Sequence, residues 1–179
     1  MQTKTVVDSA IELACESHKG QRRKYTGKPY IEHPQRVAAR VAAYPGTTLI
    51  MVAAAWLHDV WEDTPTTLED IEAACGSEVA TLVKELTNPS KGSSLPRTER
   101  KRMDREHLAG VSREAKIIKM FDRMDNLGDL ASAPRVFRAV YAMESRMLME
   151  AIGDADTALR EEVLAAARPF TYGGGPAPA

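Results

Sequence analysis

His58, Asp59, Glu62 and Asp63 stand within six residues of one another in the run Ala53-Ala54-Ala55-Trp56-Leu57-His58-Asp59-Val60-Trp61-Glu62-Asp63-Thr64. The residues before them are apolar and read as a buried helix. Positions four apart share a helix face, so Glu62 falls one turn past His58 and Asp63 one turn past Asp59. An imidazole and three carboxylates at one helix end repel one another unless a cation lies among them. Acids at a helix C-terminus also oppose the helix dipole. A bound metal accounts for both features.

Three more residues extend the set. His33 precedes Pro34 at the start of a second helix, and Asp122 lies in Lys119-Met120-Phe121-Asp122-Arg123-Met124-Asp125-Asn126-Leu127. Asn126 falls one turn past Asp122, so its amide can face whatever sits there. His33, His58, Asp59 and Asp122 together make a mixed nitrogen and oxygen set that suits Mn, Fe or Zn better than Mg or Ca. On an octahedral ion such a set leaves about two positions for water and substrate. Water on such an ion is acidified into a nucleophile, and Glu62 and Asp63 are placed to take its proton or to protonate a leaving group. Singly, each residue has an ordinary reading: His33 as a cap, Asp59, Glu62 and Asp63 as a solvated helix end, Asp122 as a surface acid. Their combination points to a metal.

Basic residues supply a second chemistry. Lys19, Arg22, Arg23, Lys24 and Lys28 fall within ten residues, shortly before His33. An isolated run of this kind reads as a solvated loop. Leading into a metal ligand, it reads as a phosphate clamp, with Arg for forked contacts or stacking on a base. Arg97, Arg100, Lys101, Arg102 and Arg105 form a further run, with Lys101 as its candidate phosphate contact. Glu99, Asp104 and Glu106 are interleaved with it, which is also how an exposed helix looks.

The elements that must position these groups are helices. Val6, Val7, Ala10, Ile11, Leu13 and Ala14 mark an amphipathic stripe over 4–18, and Gly27 and Pro29 keep 19–31 as a loop. Helices are predicted from Pro34 to about Ala43, over 48–62, from a Thr66/Glu69 capping box to Cys75, and over 78–87, 97–108 and 113–131. Two more run from Pro134 to Ile152 and from an Asp154 cap to Arg168. The result is an all-α, single-domain helical bundle spanning 1–168, followed by a Gly/Pro-rich tail at 169–179. A length of 179 residues, 44% apolar and 27% charged composition, and a net charge of -1 suit one globular domain with no overall pull towards nucleic acid or anionic lipid. Cys15 and Cys75 read as reduced core residues, and no apolar run reaches membrane-spanning length. With no apolar leader behind Met1, the expected location is cytoplasmic, with a small-molecule partner; a homo-oligomer stays open.

Gly20–Pro34, Leu57–Thr64 and Lys119–Leu127 resemble the hydrolase domain of RelA/SpoT proteins, within the HD metal-dependent phosphohydrolases. Leu95–Arg102 looks especially like the metazoan SpoT homologue and the bacterial small alarmone hydrolases. The resemblance covers about 5–165 and implies an HD-type bundle, Mn²⁺ on His33, His58, Asp59 and Asp122, and Glu62 and Asp63 as the catalytic acids. It implies nucleotide contacts from Arg23, Lys24 and Asn126, with Arg22 and Lys101 as further candidates. The implied reaction removes the 3′-pyrophosphate from (p)ppGpp, and the chain is short for the synthetase and regulatory domains of the long members. Three positions depart from the pattern. Asp125 replaces a usual Tyr or His and adds negative charge, Gly128 replaces a common Arg, and Phe121 replaces a small residue and tightens the pocket. The departures at Asp125 and Gly128 motivate a near rival, the same chemistry on an adenine alarmone or the ribose phosphate of NADPH. A more distant rival is a non-catalytic nucleotide sensor, against which the intact Glu62-Asp63 pair counts.

Overall fold

Thr5 starts the first helix, α1 (Val6–Ser17), by accepting the Asp8 N–H while the Asp8 carboxylate takes the Thr5 N–H in return. The computed structural model describes residues 4–171. After α1 the basic segment folds back on itself. Arg22 and Pro29 form an isolated antiparallel bridge, and Gly27 turns the chain with φ of 69°. Among the described residues there is no strand beyond this bridge.

The second helix, α2 (Glu32–Ala42), begins one residue before His33, so Pro34 sits at its third position instead of its first. The next helix ends early. α3 (Leu49–Leu57) stops where His58 and Asp59 form a turn, and a separate short helix, α4 (Val60–Asp63), carries the acid pair. The continuous helix expected over 48–62 is therefore broken at the candidate ligands. The break has a local cause: His58 turns its Nδ1 onto the Ala55 carbonyl at 2.8 Å, competing with the helix's own bonding.

The remaining helices are α5 (Leu68–Cys75), α6 (Ser77–Leu86), α7 (Arg97–Ala109), α8 (Arg113–Gly128), α9 (Arg135–Ile152) and α10 (Thr157–Ala167). Two caps differ from expectation by one or two residues. Thr67 with Asp70, not Thr66 with Glu69, builds the box of α5, and Asp156, not Asp154, caps α10. Ser112 caps α8 as expected, but α8 ends at Gly128 and a 3₁₀ turn (Leu130–Ser132) takes the chain on. Cys75 is buried while Cys15 is exposed, because Cys15 lies on the outer face of α1, next to the inward Ala14. Most of the Gly/Pro-rich tail, 172–179, lies outside the described residues.

The bundle is built around α3 and α8. In α3, Met51, Val52, Ala53, Ala54, Ala55 and Leu57 are all buried, and the small alanines let α1 and α2 approach closely. α8 packs against α2, α6, α9 and α10, burying Ile117, Ile118 and Met120. Among the described residues no helix is long and apolar enough to cross a membrane.

Candidate metal centre and nucleotide pocket

His33 comes from α2, His58 and Asp59 from the break after α3, and Asp122 from α8. Both imidazoles are almost wholly inaccessible, at 0% and 1% exposure. Their Nε2 atoms face each other at 3.2 Å. Each Nδ1 donates elsewhere, His33 to Asp125 Oδ2 at 2.7 Å and His58 to the Ala55 carbonyl at 2.8 Å. Asp59 Oδ2 lies 3.5 Å from His33 Nε2 and 3.2 Å from His58 Nε2. Asp122 Oδ1 lies 3.2 Å and 3.8 Å from the same two atoms. Donors around an ion bound at about 2.0–2.2 Å stand about 3.0–3.4 Å apart. His33, His58 and Asp59 form a compact group close to that spacing, while Asp122 stands farther from His58, at 3.8 Å. The donor chemistry fits as well: two imidazole nitrogens whose protons are committed behind them converge on two carboxylates.

The electrostatics of the cluster agree. Burial works against protonated imidazoles, yet the surrounding carboxylates outweigh it and raise His33 to about 9 and His58 to about 10. Burial likewise opposes ionised Asp59 and Asp122, but the His58 charge and imidazole hydrogen bonds, with Lys119 acting on Asp122, hold both well below the usual carboxylate range. This is a cage that wants positive charge at its centre.

The acid pair lies beside the cage, and the one-turn spacing survives the break for Asp63, whose N–H donates to the Asp59 carbonyl at 2.8 Å. Glu62 is held by Asn88, whose backbone N–H and side-chain amide both donate to it at 3.0 Å. Asp63 accepts from the Tyr30 hydroxyl at 3.2 Å, and the same hydroxyl donates to Asp59 Oδ2 at 2.6 Å. Partial desolvation and the charges of Asp59 and Glu62 push Asp63 up, against the Tyr30 bond. Lys119 is buried and donates to Asp122 Oδ2 at 2.8 Å. Tyr30 and Asn88 were not legible as site residues, since each reaches the site by a contact across the chain. Lys119 lies one turn before Asp122, a helical spacing that could have marked it.

A cavity of about 330 Å³ opens beside the cluster, lined by Arg22, Arg23, Lys24, Tyr25, Tyr30, Asn126, Phe137 and Tyr141 among others. Arg23 donates to Asn126 Oδ1 at 2.6 Å, and Asn126 Nδ2 donates to Asp122 Oδ1 at 2.5 Å, which links the cavity to the cage. The Arg23 guanidinium also lies 5.5 Å from the Tyr30 ring centre. Lys24 is exposed at the rim, over Tyr25, and Arg22 braces the turn by donating to the Gly27 carbonyl at 2.9 Å. Lys101 is not brought to this cavity. It pairs with Asp104 at 3.1 Å and faces a smaller one with Asn88, Lys119 and Arg123. Aromatic walls, cations and an amide beside a metal cage can hold a base and its phosphates.

Two of the three departures resolve differently from expectation. Asp125 is buried and does not add charge to the cavity. Its carboxylate takes the His33 Nδ1–H and a forked pair of bonds from Arg36 at 2.7 and 2.9 Å, which hold it down at about 2 against the cost of burial. Phe121 does not narrow the cavity either. It lies edge-on to Tyr44 at 5.9 Å in the core, because it points a third of a helix turn away from Asp122. Gly128 is exposed, with open space where a side chain would start.

Comparison with known proteins gives a consistent setting. The HD domain family model matches residues 10–150. Guanosine-3′,5′-bis(diphosphate) 3′-pyrophosphohydrolase MESH1 of Xenopus tropicalis is 44% identical over 124 residues, covering 68% of this chain and 67% of that protein. The Homo sapiens protein of the same name is 42% identical over 123 residues, with 68% and 67% covered. A solved structure of a metazoan ortholog of SpoT that hydrolyzes ppGpp and plays a role in starvation responses superposes with a TM-score of 0.83. That match has 30% identity and covers 94% of this chain and 97% of the other.

Proposed function

The chain belongs to the HD domain family, and on that premise we propose that it is a metal-dependent pyrophosphohydrolase that removes the 3′-pyrophosphate from (p)ppGpp, giving GDP or GTP and pyrophosphate. Relatives that are named for this reaction and are more than 40% identical support it. The observation that carries it is the pair of buried Nε2 atoms facing each other at 3.2 Å inside a ring of carboxylates, next to a cation-lined cavity.

His33, His58, Asp59 and Asp122 would hold the ion, which we assign as Mn²⁺, with Zn²⁺ or Fe²⁺ also suited to the donors. When bound, the ion supplies an acidified water and neutralises charge on the diphosphate. The chain's own groups do the rest. Glu62, fixed by Asn88, accepts a proton from attacking water. Asp63, whose affinity for a proton is raised, is suited to deliver one to the departing oxygen. Arg23 and Lys24 neutralise phosphate charge, and Tyr25, Phe137 and Tyr141 offer faces for the base. Asn126 holds Arg23 and Asp122 in register.

The guanine preference is tested by a substrate panel of ppGpp, its adenine counterpart and NADPH, compared by kcat/KM, since that ratio is what discriminates substrates. A ppGpp value at least tenfold above the others supports the assignment. Equal or higher turnover of another nucleotide moves the chain to that substrate with the same machinery.

A further inference from the structure

Asp125 and Asp129 sit one turn apart near the end of α8, and a single guanidinium reaches both. Arg36, on α2 one turn past His33, donates through Nε and Nη2 to the two Asp125 oxygens at 2.7 and 2.9 Å, and through Nη2 to Asp129 Oδ2 at 3.3 Å. Each carboxylate in turn holds a group of the site. Asp125 Oδ2 takes the Nδ1–H of His33 at 2.7 Å, and Asp129 Oδ2 takes the Nε–H of Arg23 at 3.3 Å. Glu32, one turn before Arg36, is the other acid facing it, at 3.7 Å. One branch of this network ends on an imidazole of the cage. The other ends on the guanidinium that reaches into the cavity and stands over Tyr30.

We propose that Arg36 is a shared positioning residue, which orients His33 towards the metal through Asp125 and Arg23 towards the nucleotide through Asp129. The inference rests on His33 being a metal ligand and Arg23 a nucleotide contact, as argued above. The chemistry is specific. A carboxylate behind a metal-binding imidazole fixes which nitrogen carries the proton and raises the ligand's basicity. Asp125 can do this only while its charge is offset, since it is nearly as buried as the imidazole it holds. Arg36 supplies that offset with a planar fork that a lysine cannot match. The same fork leaves Nη2 to share with Asp129, so the metal side and the nucleotide side are tied to one side chain.

The test separates the two branches. Mn²⁺ affinity is measured by calorimetry on the metal-stripped full chain, and KM and kcat for ppGpp at saturating Mn²⁺. Asp125→Asn is expected to weaken Mn²⁺ about tenfold or more with little change in KM, the size typical of groups behind a metal ligand. Asp129→Asn is expected to raise KM severalfold and leave Mn²⁺ affinity unchanged. Arg36→Ala is expected to do both, and Arg36→Lys to fail to restore both. Arg36→Lys also serves as the working variant should the alanine not fold. His33→Ala is the reference: if it leaves Mn²⁺ binding intact, the ligand assignment has failed, not the branching. If His33→Ala weakens Mn²⁺ but Arg36→Ala and Arg36→Lys move neither constant, the proposal is overturned. Equal effects of the two aspartate variants on both constants overturn it too, because they indicate general support. Should wild type not turn over ppGpp, the metal branch alone decides, through Asp125→Asn and Arg36→Ala.

Discussion

The cage and the cavity beside it are built from opposite materials. The cage is set on packed helices, with His33 and His58 sealed from solvent and each imidazole bonded from behind. The cavity is walled by a turn between α1 and α2 and by α9, and its Lys24 and Arg22 are exposed. One region is over-determined and the other is adjustable. On the proposed function, chemistry that needs fixed geometry falls where packing fixes it, and selection among nucleotides falls where side chains can be exchanged without disturbing the core. The two imidazoles repeat the contrast on a smaller scale. His58 is oriented by a backbone carbonyl, which no side-chain substitution removes directly, whereas His33 is oriented by Asp125, which a single substitution can change.

Substitutions can break this division, and the largest effect is expected in the cage. Asp59→Ala or Asp122→Ala should abolish stoichiometric Mn²⁺ binding in calorimetry and turnover with it; retained tight binding by either would show that the cage is not the metal site. Next is Glu62→Gln, which should keep Mn²⁺ bound and lower kcat by about 10²–10⁴-fold, the usual range for a lost proton-transfer group. An active Glu62→Gln enzyme would remove Glu62 from the role given to it.

Effects in the cavity should be smaller and appear in substrate binding. Arg23→Ala should raise KM for ppGpp by about ten- to a hundredfold, equivalent to about 1.5–3 kcal/mol of charged hydrogen bonding. Its Mn²⁺ affinity should hold, as steady-state kinetics and calorimetry together would reveal. The smallest change is expected from Gly128→Arg, which fills open space beside Asp129. It should raise kcat/KM for ppGpp by no more than about fivefold, since an exposed charge contributes about 0.2–1 kcal/mol. A larger gain would mean that the rim controls more of the reaction than its exposure suggests.

The same division explains what could be read from the sequence. His33, His58, Asp59 and Asp122 were legible because residue type and helical punctuation both marked them, and the helix order followed from periodicity and caps such as Ser112 and Gly153. The break at His58 was not legible, because it depends on an imidazole capturing a carbonyl one turn back, which an apolar run does not reveal. Asp125 was misread for a related reason. Its neighbours Asp122 and Asn126 face the site, but Asp125 is turned about 100° from Asn126 and meets Arg36, whose position no local pattern gives. Tyr30 and Asn88 belong to the same class, since their partners lie far away in sequence. Lys119 does not, for it stands one turn before Asp122 and could have been found from that spacing.

The most direct measurement is a timed incubation of the full chain with ppGpp and Mn²⁺, with and without EDTA, resolved by ion-exchange chromatography. The expected result is release of GDP and pyrophosphate in equal amounts, stopped by EDTA and restored by added Mn²⁺. Intact ppGpp after incubation with metal-loaded protein, or release that EDTA does not affect, would contradict metal-dependent 3′-pyrophosphate hydrolysis as the function of this chain.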